Sequence, residues 1–520
     1  MIRTETGIRD SPPAPTTRAS IGNRRAKVFG LLQRFSQAPA TRLLVLVLLL
    51  TTSALWEARH ISAFSSDEIW CHLRTGTWIL QNHAIPRTGL FSQFANSRWV
   101  DFSWLYDALC GAVYARLGLR AVPLLLLMFK VALAAVTFLV AGGRRKFWWA
   151  VILSALAQFA FLNPQPLPNL FSICFFGLTL HWVLEARRRN DLTHLLWLPP
   201  LFCLWANLDA QFVLGLLLLS MLLLAEITER TLCLLRTRND DPRQIPLINL
   251  VAIAAACVVA TIITPYSFHL IPAALQSAYS PALFTNFAFM SAMSFRQPEH
   301  FVLALLLFCA CLVLGRQRSH DIFNIILLTL SAALAFRIQR DSWTVVLSSI
   351  AIIGEAIRAH GDKSSAAGQR TLGKERRYVA AGIAILLTVS FILIPANQTL
   401  ETRLERVFPA RACDYIQNNH LAGPIFNEYG WGGYLMWRLP EYPVSIDERL
   451  MLYGDEFSGA YFEVIMGRQK METLPGFASE QIILLPVKFS MVKALTTIPV
   501  LQQQFREVYR DDIAIVLVRR

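Results

Sequence analysis

Charge is scarce in this chain. Only 16% of its 520 residues are Asp, Glu, Lys or Arg, against roughly 25% in soluble globular proteins. That shortage excludes an ordinary water-soluble domain as the whole molecule. The nine cysteines contain no Cys-x-x-Cys pair, which excludes a zinc-ribbon or dithiol framework. Five of them, Cys174, Cys203, Cys257, Cys309 and Cys311, lie within apolar runs, where cysteine acts as a small hydrophobe. Topology leaves room for one bridge, between Cys71 and Cys413. No Gly-rich phosphate loop, His-Glu-x-x-His or Gly-x-Ser-x-Gly run occurs. The common signatures of nucleotide hydrolases, zinc peptidases and serine hydrolases are therefore absent. No internal repeat or low-complexity tract stands out.

Apolar residues fill the gap. They make up 54% of the chain, and the mean hydropathy is +0.43. They are gathered into runs of roughly 15–22 residues, and a helix needs about 20 to cross a bilayer core. The fold class expected is a mainly α, polytopic membrane protein. Spans are expected near residues 42–59, 121–141, 147–163, 169–186, 194–207, 211–229, 245–264, 299–315, 321–336, 342–358 and 378–396. That gives about eleven transmembrane helices. The stretch 101–118 is amphipathic and fits either an interfacial helix or one more span.

The net charge of +14 does not point to nucleic acid. The basic residues are short clusters between apolar runs, the pattern of cytoplasmic loops. The tail 1–41, with Arg24, Arg25, Lys27 and Arg34, is expected to be cytoplasmic and disordered. The run Leu43–Trp56 after it lacks a small-residue cleavage site and reads as an uncleaved anchor. Counting forward, Arg144-Arg145-Lys146, Arg187-Arg188-Arg189, residues 236–243, Arg316 with Arg318, and residues 363–377 fall on that same side. The other side receives a long first outer loop, 60–120, the turns 164–168 and 337–341, and everything after about 397. Residues 397–520 change character: short apolar runs such as "IILLP" and "IAIVLV" alternate with helix-like segments. They read as a small extracytoplasmic α/β domain.

Chemistry gathers on the outer side. "SSDEIWCHLRTG" (65–76) follows the first span. A carboxylate at a cavity rim can serve as a general base, so Asp67 and Glu68 are candidate catalytic residues. On a helix, Glu68 and His72 share a face and Arg74 falls near Asp67, two turns on. A solvated helix end is the alternative reading. "AFRIQRDSW" (335–343) sets Arg337 and Arg340 beside the membrane on the outer face, where arginine is disfavoured. Guanidinium binds phosphate bidentately, so a lipid phosphate would explain them; an ion pair with Asp341 or a headgroup contact would do so too. Asn207 and Asp209, in "WANLDAQF" (205–212), suit a helix cap or the wall of the same cavity. In "FNEYGWGGYLMWRL" (426–439), Tyr429 and Trp431 are candidates for stacking on a sugar ring, or for packing.

These segments together resemble the GT-C glycosyltransferases, which use polyprenyl-linked sugars. "DEIWCHLRTGTWILQNHAIPRTGLFS…WVDFSWLYDAL" resembles the first loop of the protein O-mannosyltransferases and aminoarabinose transferases. There the Asp of the acidic pair is the base, a role that carries over to Asp67. "ACDYIQNNHLAGPIFNEYGWGGYLMWRLPEYPVSIDERLMLYG" looks like the start of the soluble domain of oligosaccharyltransferase catalytic subunits, with Asn427-Glu428-Tyr429-Gly430 at the position of their acceptor-reading motif. Residues 164–168 carry no acid where those enzymes place metal ligands, so no metal is assigned.

The resemblance implies a bacterial inner-membrane glycosyltransferase. It would move a sugar from a polyprenyl-phosphate carrier to a periplasmic glycan, lipid or protein with inversion. Asp67 and Glu68 would be catalytic; His72, Arg74, Arg337, Arg340, Tyr429 and Trp431 would bind substrate. The alternative is a non-catalytic membrane protein that binds or transports lipid-linked saccharide or scaffolds envelope assembly.

Overall fold

The structure, a computed structural model, describes residues 38–59, 64, 67–161, 166–236, 245–277, 290–316, 321–359 and 381–520, with breaks at 383, 386–387 and 390. The basic tail through residue 37, and residues 378–380, 383, 386–387 and 390 of the segment 378–396, lie outside these residues.

Ten of the expected spans coincide with apolar helices. Among the described residues, five helices are long and apolar enough to cross a membrane: Trp104–Val140, Asn169–Arg189, Phe212–Cys233, Pro298–Arg316 and Gln339–Ala359. Ala40–Ser53, Phe147–Ala160, Thr193–Ala206, Leu247–Ala260 and Ile322–Arg337 are shorter. The stretch 101–118 is helical over most of its length. Its helix, Trp104–Leu117, runs through a short 3-10 turn into Ala121–Val140.

Two glycines fix the first outer loop. The helix Glu68–Asn82 lies against Trp104–Leu117 with Gly76 facing Gly111. A Cβ on Gly76 would overlap the Asp107 carbonyl, and one on Gly111 would stand 2.7 Å from the Gly76 oxygen. Only glycine permits this backbone contact, and it brings His72, one turn before Gly76, onto Asp107.

The C-terminal domain carries a four-stranded sheet in the order β1-β2-β4-β3, with β1 Ile425–Asn427, β2 Ile482–Pro486, β3 Phe505–Arg510 and β4 Ala514–Arg519. β1 and β2 are parallel; the other pairs are antiparallel. Side chains alternate along each strand. Ile425, Ile482, Leu484, Ala514 and Val516 face the core shared with the helix bundle, while Phe426, Ile483, Leu485, Ile515 and Leu517 face the domain's own core with Phe457 and Tyr461. Burial on both faces explains why β2 and β4 read as unbroken apolar runs.

The domain is stitched to the first outer loop. Ser92 bridges Val444, Gln93 N–H donates to the Val444 carbonyl, and Arg449 donates to the Leu90 carbonyl at 2.8 Å. Trp70, fully buried on the loop helix, packs against Phe408, Tyr434 and Trp437, with ring centres 4.8–5.5 Å away. All nine cysteines are unbridged; Cys71 instead donates to Glu448 at 2.8 Å, and Cys413 is buried elsewhere in the core.

Candidate active site

A cavity of about 1050 Å³ opens where the first outer loop, the helix ends and the C-terminal domain meet. Asp67, Glu68, His72, Asp209, Arg337, Arg340 and Tyr429 all line it. Arg74 and Trp431 do not. Arg74 lies 4.4 Å over the Phe91 ring, and Trp431 is buried in the core beneath the site.

Asp67 stands at the N-cap of the helix Glu68–Asn82, yet its side chain makes no cap hydrogen bond. Asp67 is among the residues that line the cavity. Burial, then the charges of Glu428 and Glu68, push its carboxyl up to about 7. Glu68 also has its carboxyl raised, by burial foremost, against the pull of His72 and Arg340. His72 Nδ1 lies 2.6 Å from Asp107 Oδ1, so its ring is oriented by that carboxylate while Glu68 sits one turn away. Burial lowers the His72 imidazole, opposed by Glu68, Asp101 and Asp209.

The turn after Ile322–Arg337 also lines the cavity. Arg340 Nε is 3.2 Å from Asp341 Oδ1, and Gln211 donates to the same oxygen at 2.8 Å. The ion pair offered as the alternative for Arg340 is thus present, and both partners line the cavity. The turn is clamped by Gln339 N–H, which donates to the Ser291 carbonyl at 3.0 Å. In the turn 207–211, Asn207 is a tie. It accepts from Trp104 Nε1 at 2.8 Å and donates to the Cys203 and Ile263 carbonyls. Asp209 accepts from Ser172 and backbone N–H groups and faces the cavity.

Several lining residues had no separate signal in the sequence. Glu428 and Glu448 come from the C-terminal domain, Asp101 from the first loop, and Glu299 and His300 from the start of Pro298–Arg316. Asp101 is 3% exposed; its Oδ1 accepts from Ser103, and its Oδ2 has no partner. His300, 4% exposed, has an unpartnered Nδ1. Glu428, Glu448 and Asp101 fall inside segments whose resemblance was noted, and this was the only sign of them. One trio of metal-type donors, Cys71, Asp447 and Glu448, lies within 4.8 Å among the described residues. Asp447 already accepts from Arg449 at 2.7 Å and from Tyr453 at 2.5 Å, and Cys71 donates to Glu448. Glu448 Oε1 is buried without a partner.

No family model and no curated protein sequence matches the chain. Solved structures do. The archaeal oligosaccharyltransferase AglB from Archaeoglobus fulgidus, in complex with an inhibitory peptide and a dolichol-phosphate, aligns over 91% of this chain and 73% of its own. The TM-score is 0.52 and the identity 11%. This chain has the fold of the GT-C glycosyltransferases. ArnT from Cupriavidus metallidurans aligns over 94% of this chain and 98% of its own, with a TM-score of 0.43 and 12% identity. At 11% identity the likeness to the oligosaccharyltransferase is one of fold alone, and the chemistry is argued from this chain's own side chains.

Proposed function

We propose that the chain is an integral membrane glycosyltransferase that moves a sugar, with inversion, from a polyprenyl-phosphate carrier to an acceptor outside the cytoplasm. The observation that supports this most is that one cavity is lined by the carboxylates of Asp67 and Glu68 and by the guanidinium groups of Arg337 and Arg340. A phosphate leaving group needs charge neutralisation more than a proton, and the two arginines are of the type that supplies it. Asp67 takes the proton of the acceptor hydroxyl, which then attacks the anomeric carbon from the face opposite the phosphate. Single displacement of this kind inverts the centre, by analogy with inverting hydrolases. Glu68, with His72, holds the charge of the acidic wall. Tyr429 offers an aromatic edge for a sugar.

In this reading the five shorter apolar helices and the segment 378–396 also cross the membrane, giving about eleven spans. The basic clusters face the cytoplasm, and the C-terminal domain is periplasmic in a bacterial inner membrane. A C-terminal phosphatase fusion is then active and a C-terminal fluorescent protein dark; the reverse pattern overturns the orientation. The direct test is sugar transfer by the protein in membranes supplied with a polyprenyl-phosphate sugar pool. Donor binding without any release of free carrier phosphate would favour the binding or transport role instead.

A further inference from the structure

Two glycines let the C-terminal domain close on the first outer loop. A Cβ on Gly430 would stand 2.7 Å from Asp67 Oδ2 and 3.2 Å from Glu428 Oε2. One on Gly433 would meet the Asp67 carbonyl oxygen and Glu448 Oε2, each at 2.9 Å, and Cys71 Sγ at 3.0 Å. The space left by the missing side chains is taken by carboxylates from two different parts of the chain. Asp67 Oδ2 and Glu428 Oε2 both border the space a Gly430 side chain would fill, so they lie no more than about 6 Å apart.

The groups facing Asp67 come from every side. Glu68 follows it on its own helix, Glu428 and Tyr429 come from the connection after β1, and Glu448 comes from the loop before Leu450–Ile465. The nearby cations serve other acids: Arg449 holds Asp447, and Arg340 holds Asp341 and leans toward Glu68. Glu428 has two backbone donors of its own, the N–H groups of Gly430 and Trp431. Like charges this close do not both ionise freely.

We propose that Glu428 is a positioning residue, forming with Asp67 one charge-coupled carboxylate pair across the seam between the C-terminal domain and the first outer loop. The C-terminal domain thereby sets the pH at which Asp67 becomes available as a base. That last role rests on the proposed glycosyl transfer; the pair itself does not. The raised Asp67 carboxyl, with Glu428 as its largest charged cause, agrees with the geometry. Removing the Glu428 charge lowers the Asp67 midpoint, while the burial contribution stays.

The test uses the full-length protein in lipid nanodiscs, treated with a carbodiimide over a range of pH. Carbodiimides react with the protonated carboxyl, and the Asp67 adduct is read by peptide mass spectrometry. The Asp67 midpoint is expected to fall by roughly one pH unit in Glu428→Gln and to return toward the wild-type value in Glu428→Asp. Because the pair is mutual, Asp67→Asn lowers the Glu428 midpoint as well, which gives an independent arm if one variant folds poorly. In transfer assays the acid limb of kcat/KM moves down with the labelling midpoint. Midpoints unmoved in both arms overturn the pair. Reciprocal shifts in a protein that transfers no sugar leave the pair standing and sink the transferase reading alone.

Discussion

At one end of the helix bundle Arg187 donates to Glu226 at 3.2 Å, Glu229 at 3.2 Å and Asp321 at 2.8 Å, with the Phe323 ring 4.8 Å from its guanidinium carbon. The arginine is 4% exposed and ties together the helices Asn169–Arg189, Phe212–Arg236 and Ile322–Arg337. At the other end Asp67, Glu428 and Glu448 crowd a cavity, and the Asp101 carboxylate has one oxygen without a partner. Both ends bury acids. At the first, a cation and hydrogen bonds neutralise them, and the cluster acts as a brace. At the second, the acids repel one another, which costs stability and leaves groups ready for a proton or a ligand. The second arrangement is the one expected of a working site.

Breaking each end should therefore have opposite consequences. The largest effect is expected for Asp67→Asn. The amide keeps the shape and cannot accept a proton, so turnover should fall by about 10²–10⁴-fold. Thermal stability should hold or rise, because one of the crowded charges is gone. Glu68→Gln should lose less, since Glu68 sits among His72, Arg340 and Asp209 and does not join the Asp67–Glu428 pair. Normal turnover in Asp67→Asn with a dead Glu68→Gln would swap the roles.

Arg187→Met should do the reverse. Removing the cation leaves three acids facing one another, and loss of one partner from a buried ion cluster costs about 3–5 kcal/mol. Unfolding in detergent, followed by heat or denaturant, should show that loss. The fraction that remains folded should bind donor normally. A variant as stable as the wild type would show that the brace is not a brace.

On the arginine wall the expected effect is smaller. Arg337→Ala and Arg340→Ala should each weaken binding of the lipid-phosphate donor by about 1.5–3 kcal/mol, roughly tenfold or more, as expected for a charge-assisted contact. Arg340→Ala also releases Asp341, so its loss should be the more sensitive to pH. Unchanged donor affinity in both variants would make these arginines structural, like Arg187.

The smallest effect concerns Glu480, buried within the C-terminal domain beside Ser445. Burial above all, eased by the Ser445 hydroxyl and Arg519, holds its carboxyl up at about 8. A raised carboxyl binds its proton more tightly folded than unfolded. Its contribution is complete below the ordinary carboxylate range and is lost as pH rises through about 8. Melting temperature should thus decline over that window, and Glu480→Gln should flatten the decline. An equally steep decline in the variant would assign it to other groups, Asp67 among them.

The sequence by itself determined the helix bundle and the α/β character of residues 397–520, and it carries the charge pattern on which the proposed orientation rests. Those features depend on local quantities: the length of an apolar run, the sign of the charge between runs, and the punctuation of short strands. The Asp67–Asp209–Arg340 wall of the cavity was partly legible, because each residue sits at an unusual place along the chain. What only the tertiary structure decided is which polar groups meet. His72 pairs with Asp107 because Gly76 and Gly111 let two helices touch. Arg74 turns to Phe91, and Trp431 sinks into the core under the site. Glu428 reaches Asp67 across some 360 residues because Gly430 has no side chain. Contacts between distant segments depend on packing that no single stretch encodes, so the charge balance of the site becomes visible only once the C-terminal domain is seated on the first outer loop.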